Sequence, residues 1–158
     1  MSSRDAVIMT EESIARVQAN FNEVAHQPRI LSGRFYEEMF RTAPQLRPLF
    51  PRELTALQGH FDAALALVIR NLADMDALLP SLRDLGAQHI GWGAQPQYYL
   101  VAREALIHAV RSLSPNWNEV LERDWREAIS AIIVPMLDGA ALATAMAAAK
   151  IADESRTK

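Results

Sequence analysis

Two side chains in this sequence could bind or orient a small ligand, namely His89 and Tyr36. His89 is predicted to lie at the C-terminal end of a helix, just before Gly91 and Gly93, and a neutral imidazole can coordinate a transition metal. Tyr36 lies on an otherwise apolar helical stretch, where its hydroxyl can donate a hydrogen bond to a polar ligand. Taken alone, both have simpler explanations, because helix C-termini favour histidine and tyrosine is common at the edge of a core.

The elements that must position these residues are predicted to be helices throughout. Apolar residues recur at spacings of three and four, and strand-like alternation is absent. Thr10 is the expected N-cap of the first helix, and Pro28 lies where the helix carrying Tyr36 would begin. That second helix should end before Pro44, and a third is predicted over about 53–72.

The second half of the chain continues the helical pattern. A turn over 74–79 should lead into a fourth helix that starts at Pro80 and runs to about His89. The sequence therefore predicts an all-α fold of about seven or eight helices. The remaining markers are Pro96 at the start of the next helix, Asn116 or Asn118 as the cap of the last, and Pro135 as a kink or an end to its regular hydrogen bonding.

Bulk composition narrows the class of protein. The chain has 158 residues, half of them hydrophobic, which suits a single domain over 1–158 with a core at about 10–138. Residues 139–158 are expected to form an Ala-rich helical extension with a frayed tail. A net charge of −3, with no face-wide excess of Lys or Arg, argues against a nucleic-acid partner. The lack of cysteine excludes disulfides and thiolate metal sites.

The sequence also shows no leader segment and no apolar run that we expect to span a membrane. The N-terminus lacks a charged region followed by a long apolar core, and the Ala-rich stretch over 140–152 is interrupted by Thr144 and Lys150. We therefore expect a cytoplasmic protein without a membrane partner. The three tryptophans, Trp92, Trp117 and Trp125, are interpreted as packing anchors.

Short segments in a fixed order carry a resemblance to a known family. They are the RFYEEMF run over 34–40 with PQLRPLF over 44–50, the NLADMDALLP run over 71–80 continuing to His89, and QPQYYLV over 95–101. In order and spacing they resemble the B helix and CD corner, the end of the E helix with the F helix, and the start of the G helix of bacterial flavohaemoglobins and the single-domain Vitreoscilla-type haemoglobin. The resemblance covers roughly residues 10–138 and implies a globin fold around a haem b group.

The resemblance implies a role for individual residues. His89 corresponds to the proximal iron ligand, and Phe50 to the CD-corner phenylalanine that packs on the porphyrin face. Tyr36, 14 positions before Phe50, corresponds to the distal hydrogen-bond donor to a bound gas. Tyr99 corresponds to the G-helix tyrosine close to the proximal histidine.

The alignment of the distal helix leaves alternatives. An ungapped alignment back from His89 puts Leu57 at the distal position and Phe61 one turn further on. Both lie on the apolar stripe of the helix predicted over about 53–72. Relatives often carry glutamine at the distal position, and Gln58 is adjacent. His60 is a further alternative, since a distal histidine can bind the iron directly in the resting state.

The sequence departs from the family near its end, and this affects the expected function. Flavohaemoglobins carry a late glutamate that bonds to the proximal histidine and tyrosine, whereas this chain offers only Asp138 nearby. The first expectation is therefore reversible binding of dioxygen, nitric oxide or carbon monoxide, without catalysis. Alternatives are nitric oxide dioxygenation or peroxide chemistry with an external reductase, and a gas-sensing module that uses the Ala140–Ala149 tail. A homodimer is compatible with each hypothesis, and a helical bundle without haem is the remaining alternative.

Overall fold

The computed structural model describes residues 9–157 as an all-helical chain, with no strand among them. This confirms the predicted fold class. The α-helices are α1 (Glu11–Val24), α2 (Ile30–Thr42), α3 (Thr55–Arg70), α4 (Met75–Gly91), α5 (Tyr98–Leu113) and α6 (Glu119–Arg156), with short 3-10 helices at Pro44–Leu49 and Leu72–Asp74.

Two helices begin at side chains that cap them, as the sequence predicted. Thr10 caps α1, because its hydroxyl oxygen accepts the backbone N–H of Ser13 at 3.1 Å. Asn118, and not Asn116, caps α6, because its side-chain oxygen accepts the N–H of Leu121 at 2.9 Å.

The predicted start of the fourth helix is wrong. The turn expected over 74–79 is helical, α4 begins at Met75, and Pro80 lies inside the helix. Met75, Leu78 and Leu82 belong to one apolar cluster, and burying this stripe outweighs the single backbone hydrogen bond that Pro80 removes.

The last helix is longer than a core helix requires. It continues through the buried Pro135 to Arg156 over 38 residues, so the proline does not end it and residues 153–156 belong to it. Among residues 9–157 it is the one helix long and apolar enough to cross a membrane by length and composition. The apolar 18-residue stretch that meets this criterion is 28% buried inside the protein, whereas Asp124 and Trp125, which precede it, are fully buried.

The main core lies among α1, α2, α3, α5 and α6. Trp125 is fully buried at its centre and donates its indole N–H to the side-chain oxygen of Asn20 at 2.8 Å. The amide of Asn20 donates in turn to the hydroxyl of Ser114 at 3.0 Å. This network joins α1 and α6 to the end of α5 and satisfies the indole N–H of Trp125, whereas the buried hydroxyl of Ser32 on α2 has no partner among residues 9–157.

Helix α4 is packed differently from the other helices. It lies closely along α6, whereas its close backbone contacts with α2, α3 and α5 are few or absent. The contact with α6 is made through glycine on both sides: a Cβ at Gly86 would overlap the carbonyl of Met136, and a Cβ at Gly139 would overlap the carbonyl of Arg83. Close backbone packing of α4 is therefore largely confined to α6, and its contacts with α3 and α5 are made by side chains, with Leu82 in one cluster with Val68 and Tyr99.

Candidate haem site

His89 lies near the C-terminal end of α4 and is partly buried. The helix ends in a Schellman motif, in which Ala94 N donates to the carbonyl of His89 at 2.9 Å and Gly93 N to that of Ile90 at 3.0 Å. Gly93 has a φ of +89°, in the left-handed region that this motif requires and that favours glycine. The glycine pattern that predicted the helix end thus also fixes the backbone beside His89.

The imidazole of His89 is held by its own helix. Nδ1 lies 2.7 Å from the carbonyl oxygen of Leu85, four residues earlier. Because a carbonyl oxygen can only accept, Nδ1 carries the proton in the neutral ring, and Nε2 is left with its lone pair. This is the form in which histidine binds a metal, with a second group fixing the orientation of the ring.

Five aromatic rings form a cluster on α2, α3 and the turn after the first 3-10 helix. Tyr36 is at its centre, with ring centroids 5.7 Å from those of Phe50 and Phe61. Phe35 stacks on Phe61 at 4.5 Å, and Phe40 lies 5.1 Å from Phe50. The sequence predicted Tyr36, Phe50 and Phe61 for one pocket, and the structure brings these three together.

Burial in this cluster changes the acidity of Tyr36. The side chain is 5% exposed, and loss of solvation, with a smaller contribution from the charge of Asp62, raises the pKa of Tyr36 to about 12. The hydroxyl therefore stays protonated and available as a donor throughout the physiological pH range.

This pKa predicts a loss of stability in strong alkali. The folded chain holds the Tyr36 phenol protonated above the ordinary pKa of 10, whereas the unfolded chain loses this proton near pH 10. The contribution of Tyr36 to the unfolding free energy is therefore fully present below pH 10 and is lost as the pH rises towards 12. We expect wild type to lose about 2–3 kcal/mol more unfolding free energy than Tyr36→Phe over this interval. Urea unfolding of both proteins at pH 9 and at pH 12 measures the difference, and equal losses would contradict the buried phenol.

The other distal candidates differ in exposure. Leu57 and Phe61 are partly buried and pack against the main core, and Gln58 is also partly buried. His60 is exposed on the outer side of α3. In this structure the apolar residues of the stripe therefore face the interior, and His60 does not.

Tyr99 lies in the first turn of α5, close to His89. Its ring is 6.3 Å from that of His89, and it packs with Val68, Leu82 and Met136. Its hydroxyl is buried without a hydrogen-bond partner among residues 9–157, and burial raises the pKa of Tyr99. Asp138 is exposed and does not bond to this hydroxyl.

Three features of the site were missed by sequence reasoning. Trp92 was expected to be a packing anchor, but it is 58% exposed and its ring lies 4.8 Å from that of His89. The carbonyl of Leu85 has no signature in the sequence, because every residue carries one. Gly86 and Gly139 set the contact between α4 and α6, and their pairing depends on the tertiary fold.

Comparison with known proteins agrees with this architecture. The family model described as globin matches residues 33–136, which is more than half of the chain and spans α2 to the middle of α6. The chain belongs to the globin family. Family membership implies haem binding and, with it, binding of diatomic gases.

Individual relatives of this globin are distant. It is 22% identical to an anaerobic nitrite reductase of Gossypium hirsutum, over 84% of this chain and 91% of the relative. It is also 22% identical to a flavohemoprotein of Vibrio cholerae, over 77% of this chain, but it spans only 32% of that relative. A hexacoordinated heme protein from an anhydrobiotic tardigrade superposes with a TM-score of 0.77 at 16% identity, covering 87% of this chain and 99% of that one.

The residues present fit a haem group. His89 offers a free Nε2 on a helix with few or no close backbone contacts to α2 and α3. The aromatic cluster supplies apolar side chains. The buried hydroxyl of Tyr99, close to His89, has no hydrogen-bond partner among the residues described. A histidine with a free ring nitrogen and apolar side chains to surround the porphyrin are what a haem protein requires.

Proposed function

We propose that this globin binds haem b through Nε2 of His89 and reversibly binds a diatomic gas on the side of Tyr36. The observation that carries the proposal is the Nδ1–Leu85 hydrogen bond, because it leaves Nε2 as the one ring nitrogen able to coordinate. Haem iron supplies a coordination position for the gas. Phe50 and Phe61 exclude water, and Tyr36 offers a hydroxyl that stays protonated.

Absorption spectra of the full chain reconstituted with haem test this function. We expect a strong Soret band, a five-coordinate ferrous form, since His60 is exposed, and a shift on adding carbon monoxide. A chain that stays folded but gives no Soret band would overturn the proposal. A six-coordinate ferrous spectrum that His60→Ala converts to five-coordinate would instead overturn the distal arrangement.

The distal hydroxyl should discriminate between gases. A hydrogen bond from Tyr36 is worth about 1–1.5 kcal/mol, so Tyr36→Phe should release dioxygen roughly five- to tenfold faster. Carbon monoxide is a weaker acceptor, and its release should change little. Stopped-flow displacement of each gas measures both rates, and equal effects on the two would exclude a direct hydrogen bond.

A second candidate function is redox turnover of nitric oxide or peroxide with an external reductase. The similarity to flavohemoproteins supports it. The proximal side does not, because Tyr99 lacks a carboxylate partner among the described residues and His89 bonds to a neutral carbonyl. Neither residue can therefore make the proximal ligand strongly electron-donating. Sustained consumption of nitric oxide by the haem-loaded chain with a reductase and NADH would favour this function over simple binding.

A further inference from the structure

The second half of α6 carries an apolar face that nothing in the described chain covers. Burial along the helix ends at Ala140, and beyond it Leu142 is 61% exposed and Met146 is 64% exposed. One stripe of this helix repeats at spacings of four, three, four, three and four, which is the seam of a coiled coil. Its members, all exposed, are Asp138, Leu142, Ala145, Ala149, Ala152 and Arg156.

This stripe is complementary to itself when two copies run antiparallel. In an antiparallel pair whose centre lies at Ala147, Leu142 of one copy lies opposite Ala152 of the other, and Ala145 lies opposite Ala149. A large residue thus faces a small one, and the centre of the seam is small enough for two backbones to approach closely. Because each globin core ends at Ala140, the two cores would lie at opposite ends of the seam.

Charge fixes the orientation. In the antiparallel pairing Asp138 of each copy meets Arg156 of the other, which gives one ion pair at each end. In a parallel pairing Asp138 would face Asp138, and Arg156 would face Arg156. Within one chain these residues are 18 positions, or about 27 Å, apart along the helix, so they cannot pair with each other. Neither has an ion-pair partner within residues 9–157.

We propose that this globin forms an antiparallel homodimer through residues 138–156 of α6. The occupant of the apolar face is a second copy of the chain. When the two copies run antiparallel, each charged residue of the seam lies opposite a residue of opposite charge, and the large Leu142 lies opposite the small Ala152. The ion pairs select the antiparallel orientation, and the association itself comes from burial of Leu142 against Ala152 and of the alanines at the centre of the seam.

The first experiment measures the mass of the full, haem-loaded chain by sedimentation equilibrium at micromolar and submillimolar concentrations. We expect about 35 kDa for wild type, twice the 17.6 kDa of the chain. Ala145→Glu places a charge in the centre of the seam and should weaken the dimer at least about tenfold. Ala147→Glu is the matched control, because it makes the same change on the exposed opposite side of the same helix.

A second experiment exchanges the terminal charges. Asp138→Arg and Arg156→Asp should each weaken the dimer, since each places like charges together, and the double variant should restore it. The chain has no cysteine, so engineered cysteines report the orientation directly. A mixture of Ala145→Cys and Ala149→Cys should oxidise to the mixed disulfide, whereas a parallel pairing would link each variant to itself.

Three outcomes would overturn the proposal. They are a monomeric wild type at submillimolar concentration, equal weakening by Ala147→Glu and Ala145→Glu, and failure of the charge exchange to restore association. Sedimentation with neutral phosphatidylcholine vesicles that is lost in Ala145→Glu, from a chain that is monomeric without lipid, would assign the face to a membrane surface instead.

Discussion

His89→Ala should lower the affinity for haem by at least about a hundredfold. Loss of a group that merely orients a metal ligand costs about 10–100-fold, and this substitution removes the ligand itself. Because Nε2 is the coordinating atom in our proposal, the variant should lose the ferrous five-coordinate spectrum while the helices remain. Haem transfer to an excess of apomyoglobin, followed in the Soret region, measures the loss.

Added imidazole makes this test specific. A shortened side chain at position 89 leaves space for a free imidazole, which should restore the Soret spectrum of His89→Ala if the defect is the missing ligand. His60→Ala and His108→Ala are matched controls, because both histidines are exposed. Unchanged haem transfer from His89→Ala, or equal loss from His60→Ala, would remove His89 from its proposed role.

Gly139→Ala should destabilise the chain by about 3 kcal/mol or more. The added methyl would overlap the carbonyl of Arg83, and a backbone atom cannot move away by changing rotamer. The two helices must separate instead, which for a chain of this size lowers the midpoint of thermal unfolding by roughly 6–12 °C. Gly86→Ala, which would meet the carbonyl of Met136, should behave in the same way.

Gly59→Ala is the matched control and should have the opposite sign. Gly59 lies inside α3 with nothing within 4 Å of an added Cβ, so alanine there should stabilise the helix by about 0.5–1 kcal/mol. Calorimetry of the three variants in the same buffer separates the effects. If Gly139→Ala were as stable as Gly59→Ala, α4 and α6 could not be in the contact described.

The sequence predicted those features that depend on local chemistry. The hydroxyl of Thr10 and the amide of Asn118 cap their own helices, and Gly93 ends α4 through its own left-handed backbone. The period of apolar residues predicted the helical class without reference to the tertiary fold. Tyr36, Phe50 and Phe61 were placed in one pocket through the family resemblance, not through their individual residue types.

Features that depend on distant packing were not predicted. Pro80 was taken as a helix start because proline is favoured at the first position of a helix. Leu78 and Leu82, however, pack with Tyr99 and Met136, and this packing lets α4 begin on the N-terminal side of the proline. Phe35 and Phe61, which are 26 positions apart, stack between α2 and α3, and the periodicity within either helix gives no information about this contact. The same holds for Gly86 and Gly139.

The glycine contact between α4 and α6 also has a mechanical consequence. Where two helices touch through side chains, rotamer changes absorb small displacements, but a glycine that lies against a backbone carbonyl leaves no such freedom. A displacement of α4, which carries His89, is therefore transmitted to α6 directly beside Asp138, where the proposed seam begins. Gas occupancy and self-association would then be thermodynamically linked, and the dissociation constant of the dimer should differ between the gas-free and carbon monoxide-bound forms.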